Sequence, residues 1–175
     1  PLAEIALRLD DRFRLLRATR RGEDARHQTL EALIDWSHSH LTESEQRLFR
    51  RLSVFSGGWT LESAEAVCAD PELEAWEVLD VLTRLIDKSL VVFAGSRYRM
   101  LETVREFALA RLDATDEQRE VRRRHHAHFL EFVESAAQAL VGPDQADWLT
   151  RIDIEIDNVR SATRWATEER EADGA

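Results

Sequence analysis

The sequence contains one cysteine and one lysine among its 175 residues, and it has no long hydrophobic run. Because Cys68 stands alone, an internal disulfide is excluded, and we predict a cytoplasmic location, since chains without disulfides are typical of reducing compartments. No apolar stretch approaches the roughly 20 residues that cross a bilayer, so we predict no membrane partner. The first residue is not methionine and the chain begins inside an amphipathic pattern, which favours a segment of a longer protein.

The scarcity of lysine also bears on nucleotide chemistry. A phosphate-binding loop of the form G-x-x-x-x-G-K-[ST] needs a lysine, and Lys88 stands in LIDKSL with no glycine nearby. The chain therefore holds no such loop, and any ATPase module would have to lie outside it. Cys68 follows an apolar helical pattern and has no histidine near it in sequence that could activate a thiolate. We predict a buried, structural cysteine and a chain that is not an enzyme.

The order of the predicted elements indicates a mainly α fold that begins with a winged helix. Thr42 with Glu45 forms the sequence of a capping box, and helices are predicted at about 42–55, 60–68 and 71–89. Two short strands, LVVFA and RYRM, follow across Gly95-Ser96, a two-residue connection of the hairpin type. A last helix is predicted from Leu101 to about residue 112, with Leu101 facing the core beneath the hairpin.

The C-terminal third predicts an antiparallel helical arm. Thr115 and Gln118 have the spacing of a second capping box, which predicts that a long helix begins there. Gly142-Pro143 should end that helix. Two further helical segments are predicted at about 144–151 and 153–169. The fold class is therefore a winged helix, with one β-hairpin, followed by helices.

Charge argues against the usual use of a winged helix, which is to read DNA. The chain carries 34 acidic residues against 24 basic ones, a net charge of −10, which is the wrong sign for binding a phosphate backbone. The segment that would enter the major groove, residues 71–89, has five acidic side chains against Arg84 and Lys88. Arg97 and Arg99 in the hairpin are too few to carry a DNA site alone, so we do not expect this segment to bind DNA.

Two further motifs have the composition of possible binding sites. The basic patch RRRHHAH (122–128) offers His125 and His128 at metal-ligand spacing, but its arginines repel a cation, so we favour a solvated helix face. The acidic run DIEID (153–157) resembles a calcium loop but lacks the glycine and the final glutamate. Its residues keep helical spacing, with Glu155 or Asn158 expected to join the packing between helices.

Several blocks of sequence resemble one known class of proteins. VLDVLTRLIDKSLVV, RYRMLETVREFALARL and WLTRIDIEIDNVRSATRWA are similar to bacterial transcriptional regulators of the STAND class of ATPases, of the large LuxR-type and SARP-like kinds. The resemblance implies three regions: the tail of the helical domain of a nucleotide-binding module (1–25), a winged helix (26–113) and the start of a TPR-like arm (114–175). It also implies ATP or ADP bound by an upstream module, and a protein or small-molecule effector at the arm.

The resemblance assigns a role to the residues after the hairpin. In related nucleotide switches the next helix begins with a Met-His-Asp motif that approaches ADP, and Met100, Leu101 and Glu102 occupy those positions. Leucine cannot donate a hydrogen bond to phosphate, so Arg97 or Arg99 would have to replace the histidine. These five residues are the candidate nucleotide-facing site, and we predict no metal site.

The leading hypothesis from the sequence is a non-catalytic regulatory segment that couples the nucleotide state of an upstream module to effector sensing. Two alternatives remain open. One is a self-contained winged-helix transcription factor that binds DNA, and the other is a plain protein-interaction module.

Overall fold

The computed structural model describes residues 23–173, and the amphipathic pattern with which the chain begins lies outside them. The chain divides into two compact units, Pro1–His40 and Leu41–Ala175. In the first unit, helix α1 spans Glu23–Ser39. Its end is closed locally, because the imidazole Nδ1 of His40 lies 2.8 Å from the carbonyl oxygen of Trp36. The boundaries predicted at residues 25/26 and 113/114 stay predictions.

The second unit begins with the winged helix that the order of elements predicts, and that prediction is confirmed. Three helices precede a two-stranded antiparallel hairpin and a fourth helix follows it. A 3-10 turn at Leu52–Val54 extends the first of these helices. The elements are α2 (Glu43–Arg51), α3 (Leu61–Cys68), α4 (Ala75–Asp87), β1 (Val92–Ala94), β2 (Arg97–Arg99) and α5 (Glu102–Asp113).

Local capping sets where α2 and α3 begin. The Thr42 amide donates to the Glu45 carboxylate at 2.8 Å, and the Glu45 amide donates to the Thr42 hydroxyl at 3.4 Å. This reciprocal pair confirms the predicted capping box, which satisfies amides that have no partner inside the helix. Thr60 caps α3 through one such hydrogen bond, since its hydroxyl accepts from the Ser63 amide at 3.2 Å.

The predicted helix over residues 71–89 is too long at both ends. The Asp70 carboxylate accepts hydrogen bonds from the amides of Glu72 and Leu73, both at 2.9 Å, which holds a turn where the helix was expected to begin. Helix α4 therefore starts after Glu74 and ends at Asp87, and Ser89 then adopts a left-handed backbone with φ of 59°.

The hairpin has the predicted two-residue turn, and its register pairs Phe93 with Tyr98. A third stretch of chain joins it, because Trp59 and Tyr98 exchange backbone hydrogen bonds of 2.9 and 2.8 Å. Trp59 is almost fully buried. The wing is thereby attached to the segment between α2 and α3.

The prediction that Leu101 faces the core is wrong. Leu101 is 56% exposed, whereas Met100 is buried. The backbone is still extended at Leu101, with φ of −65° and ψ of 145°, so side chains alternate between inside and outside along residues 98–101. Met100 takes the inward position, and the helix starts one residue later, at Glu102.

Two long helices form the arm, α6 (Gln118–Ala139) and α7 (Gln145–Asp173). They run antiparallel, because His126 contacts Trp165 while Phe132, further along α6, contacts Trp148 near the start of α7. The predicted break at Gly142-Pro143 lies between them. The two helical segments predicted after it are in fact one helix, since residues 145–173 contain no glycine or proline that would end it.

The second predicted capping box does not form. The Thr115 hydroxyl donates to the Leu112 carbonyl oxygen at 2.7 Å, so it closes the end of α5 instead of opening α6. Glu117 precedes the first turn of α6 and gives it no side-chain cap. Within residues 23–173, no helix combines the length and the hydrophobicity that a bilayer span requires.

Candidate functional site

The exposed face of α4 is the surface on which a winged helix would read DNA. Trp76 and Leu79, one turn apart, are 69% and 45% exposed there. Acidic side chains surround them: Glu72, Glu74, Asp80 and Asp87 are all exposed. This face is therefore apolar and acidic, whereas a phosphate backbone attracts basic side chains.

Of the two basic residues of this region, one forms a close ion pair with a buried carboxylate. The ammonium group of Lys88 lies 2.6 Å from the Glu45 carboxylate, and Nε of Arg84 lies 4.0 Å from it. Glu45 itself is only 1% exposed. Burial raises the pKa of Glu45, but the hydrogen bonds from Lys88 and Thr42 outweigh it, and the pKa is lowered overall. Lys88 thus balances a buried carboxylate and is less available to an external phosphate, whereas the Arg84 side chain stays 52% exposed.

The hairpin arginines have different surroundings. Arg97 is half-buried, forms an ion pair with Glu155 of α7 and donates to the Gly58 carbonyl oxygen at 3.1 Å. Arg99 is exposed and makes no ion pair with another described residue. One of the two wing cations therefore belongs to the contact between the winged helix and the arm.

The other three residues of the predicted nucleotide-facing site are also spread apart. Met100 is buried in the core and Leu101 is exposed. Glu102 is exposed and pairs with Arg105 at 2.6 Å, and this hydrogen bond lowers the pKa of Glu102. The five side chains thus point into different surroundings, and their role toward a nucleotide stays a prediction.

Asn158 on α7 is the centre of the contact between arm and wing. It is fully buried; its oxygen accepts from the Ser56 amide at 2.7 Å, and its amide nitrogen donates to the Gly58 carbonyl at 2.8 Å. The same nitrogen donates to Glu155 at 2.7 Å, which in turn pairs with Arg97. The expectation that Glu155 or Asn158 joins the packing between helices is confirmed.

A second polar cluster ties the start of α6 to α2. Arg51 is 3% exposed and donates to Glu117 at 2.8 and 2.6 Å, to the Cys68 carbonyl at 2.7 Å and to Asp70. Burial lowers the pKa of Arg51, but its bonds to Asp70 and Glu117 raise it overall, so the guanidinium stays charged. Burial also raises the pKa of Glu117, but Arg50 and Arg51 lower it overall. Sequence spacing gave no signal for this cluster, because its members lie 17 to 67 residues apart.

The basic patch at 122–128 is not the solvated face that the sequence suggested. Arg124 donates to the Ala69 carbonyl, and an imidazole nitrogen of His128 lies 3.1 Å from the Ser63 hydroxyl. His125 is 3% exposed and packs against Phe55 and Phe129. Burial lowers the pKa of His125 to about 3, so this imidazole is neutral at physiological pH. The spacing of four from Val121 through His125 to Phe129 could have revealed this buried face.

The chemistry of the remaining candidates is limited. Cys68 is fully buried as predicted, and burial raises the pKa of its thiol to about 12, so it is not a reactive thiolate. Within the part of the chain that the structure describes, no three side chains of histidine, cysteine, aspartate or glutamate come together as metal ligands would.

A groove of about 550 Å³ opens beside the Arg97–Glu155 pair. It lies where the first turns of α3, the wing turn, the middle of α6 and the start of α7 meet. Both the winged helix and the arm therefore contribute to its walls.

Comparison with known proteins agrees with the fold. Residues 41–113 match the family described as "Winged helix-turn-helix domain". The chain is 46% identical over 169 residues to "Putative HTH-type transcriptional regulator Rv0890c" of Mycobacterium tuberculosis and to a counterpart in Mycobacterium bovis. It is 38% identical over 130 residues to "Uncharacterized protein Rv0894" of M. tuberculosis.

The extent of these matches differs. The alignment with Rv0890c covers 94% of this chain but 19% of that relative. The alignment with Rv0894 covers 71% of this chain and 33% of that relative. The chain thus spans about a fifth of the length of its HTH-type relatives. No solved structure gives a significant match. Residues 41–113 are therefore a winged helix-turn-helix domain, in a chain homologous to mycobacterial proteins named as HTH-type transcriptional regulators.

Proposed function

We propose that residues 41–173 are a regulatory module of a transcriptional regulator. In this module the winged helix transmits a signal to or from the helical arm and does not itself bind DNA. The observation that carries this proposal is that basic residues of the winged helix form ion pairs within the protein. Lys88 pairs with buried Glu45, and Arg97 pairs with Glu155 of the arm. The exposed face of α4 keeps its acidic side chains, so its field repels phosphate.

The contact between winged helix and arm suits such a role. It is built from directional hydrogen bonds at Asn158 and charged bonds at Arg51, which need defined geometry. Contacts of this kind favour one arrangement over others, because a displaced arm would leave buried polar groups unpaired. A signal that changes the arm would therefore reach the wing.

A second candidate is direct DNA binding by the same domain. It is favoured by the match of residues 41–113 to the winged helix-turn-helix family and by the names of the relatives. The exposed Arg99 offers one wing cation for such a complex.

Fluorescence anisotropy with random duplex DNA separates the two candidates. We expect the chain to show no binding at micromolar concentration even at about 50 mM salt, the condition that most favours electrostatic association. Tight binding that weakens steeply toward about 200 mM salt would establish the second candidate instead. In that case Arg99→Ala should lower the affinity and the salt slope, while Arg164→Ala, an exposed arginine of the arm, should leave both unchanged.

We further propose that the signal originates in a nucleotide-binding module elsewhere in the longer polypeptide. Support comes from the sequence resemblance described above, and ATP or ADP would be its ligand. The test uses a longer protein that includes the region preceding this chain. Adding ADP to it should protect amides of the wing from hydrogen exchange. Unchanged exchange in the wing at saturating ADP would argue against this coupling.

A further inference from the structure

The groove beside the Arg97–Glu155 pair has the size of a site for a small molecule. Its volume of about 550 Å³ lies within the range of about 300–1,000 Å³ that is common for such sites. Four elements of the second unit line it, so its shape depends on the contact between winged helix and arm.

One part of the groove is an apolar wall built by the arm. Phe132 and Trp148 lie with ring centroids 5.7 Å apart, and Ile154 of the same wall is 49% exposed. The guanidinium of Arg151 lies over the Trp148 ring, 4.1 Å from its centroid. Covering the part-buried Phe132 and Trp148 rings and the exposed Ile154 side chain with an apolar group would be favourable.

The other part of the groove is acidic. Glu62 of α3 and Glu131 of α6 are exposed and form no ion pair with other described residues, whereas Glu155 is paired with Arg97. All three carboxylates line the groove together with His128, and all three act to raise the pKa of His128. Burial nevertheless lowers the pKa of His128 overall, so the imidazole is neutral at pH 7 and adds no positive charge.

We propose that this groove binds a small organic cation, a protonated amine joined to an apolar ring or short chain. The lining carries three carboxylates against two guanidinium groups, a net charge of −1 with His128 neutral; Arg97 is paired with Glu155, and Arg151 keeps its charge over the Trp148 ring. Glu62 and Glu131 are thus the carboxylates of the groove that have no ion-pair partner among the described residues. The ammonium group lies between them beside His128, and the apolar part covers Phe132 and Trp148.

The inference rests on the proposed function, since a ligand held by Glu62 of the winged helix and by Glu131 and Trp148 of the arm would strengthen their contact. Binding here stabilises the arrangement of winged helix and arm that forms the groove, and it does not stabilise arrangements that lack the groove. The ligand would therefore act as the signal that the module transmits.

Calorimetric titration of the chain with 2-phenylethylamine tests the inference, with 2-phenylethanol and phenylacetate as neutral and anionic probes of the same shape. We expect the amine to bind, the alcohol to bind about tenfold more weakly and phenylacetate to show no heat of binding, because each lost charge-assisted contact costs about a factor of ten. The double variant Glu62→Gln, Glu131→Gln should bind the amine at least about tenfold more weakly.

A matched control is the double variant Glu134→Gln, Glu168→Gln, which removes the same charge from exposed positions outside the groove and should bind the amine like the unchanged chain. The inference is overturned if the amine does not bind, if phenylacetate binds as tightly, or if both double variants behave alike. The anisotropy experiment with DNA uses no amine, so the proposed function can fail or stand independently of this result.

Discussion

At the scale of single residues, Asn158 shows how much of the junction depends on one polar side chain. It is fully buried on α7 and forms three hydrogen bonds, two of them to the backbone on either side of Gly57. That backbone is irregular, so its amide and carbonyl groups have no helix or strand to satisfy them. The side chain of Asn158 takes the place of a backbone partner.

We expect Asn158→Ala to lower the free energy of unfolding by about 1–3 kcal/mol, because it leaves the part-buried Ser56 amide without its partner and the Gly58 carbonyl with Arg97 as its remaining donor. Urea denaturation followed by circular dichroism measures this change. Arg164→Ala, at an exposed position on the same helix, should change the free energy by less than about 0.5 kcal/mol. Equal effects of the two substitutions would show that the Asn158 hydrogen bonds contribute little.

His125 predicts a pH dependence of stability. Burial lowers its pKa from 6.5 to about 3 in the folded protein. Below about pH 6.5 the unfolded chain takes up a proton that the folded chain does not, so stability falls as pH falls and continues to fall until about pH 3. Relative to His125→Phe, the unchanged protein should lose about 1.4 kcal/mol more per pH unit between about pH 6 and 5.

Urea denaturation at several pH values gives this slope for both proteins. Carboxylates whose pKa is lowered on folding, such as Glu45 and Glu117, contribute alike in the two proteins, so the difference between the two slopes reports His125. In addition, the imidazole resonances of His125 should not shift between about pH 8 and 5 in an NMR titration. Parallel slopes, or a His125 midpoint near 6.5, would contradict the burial of this imidazole.

At the scale of elements, the wing depends on a close approach of two backbones. Gly58 has φ of +106°, and a Cβ atom there would lie 2.6 Å from the Tyr98 carbonyl oxygen. Gly95, in the hairpin turn, has φ of +69°, but a Cβ atom there would have no neighbour within 4 Å. Both backbones favour glycine, but a side chain meets a steric obstacle only at Gly58.

We therefore expect Gly58→Ala to destabilise the protein more than Gly95→Ala. The second substitution should cost about 1–2 kcal/mol for the left-handed backbone, and the first should add the cost of separating Trp59 from Tyr98. Thermal unfolding compares the two variants, and hydrogen exchange at the Trp59 and Tyr98 amides reports the local effect. Faster exchange at these amides in Gly95→Ala than in Gly58→Ala would contradict this account.

The elements also show how far sequence reasoning reaches. The starts of α2 and α3 were predicted correctly, because a threonine hydroxyl and the amide it caps lie within three residues. The start of α4 and the cap of α6 were wrong. Asp70, before α4, and Glu117, before α6, both form ion pairs with Arg51. Because these contacts are distant in sequence, neither helix begins where the local pattern predicts.

At the scale of the whole molecule, residues 41–173 belong to one compact unit, so winged helix and arm should unfold together. As urea increases, the amides of α2 and α7 should converge on one free energy of opening in native-state hydrogen exchange. Arg51→Ala removes the link between α2 and the start of α6, and we expect it to let the arm open at a lower free energy. Amides of α7 that open separately in the unchanged chain would contradict a single unit.

The sequence by itself determined the winged helix, the hairpin and its turn, the buried state of Cys68 and the absence of a phosphate-binding loop. Capping pairs, two-residue turns and apolar periodicity act over a few residues, so they can be read along the chain. Only the tertiary structure decided which charges are free. Arg97, Lys88 and Arg51 look like any surface cations in sequence, and each is engaged by a carboxylate 43 to 66 residues away. Pairing at that distance depends on the folded arrangement, because the chain pattern does not encode which side chains meet.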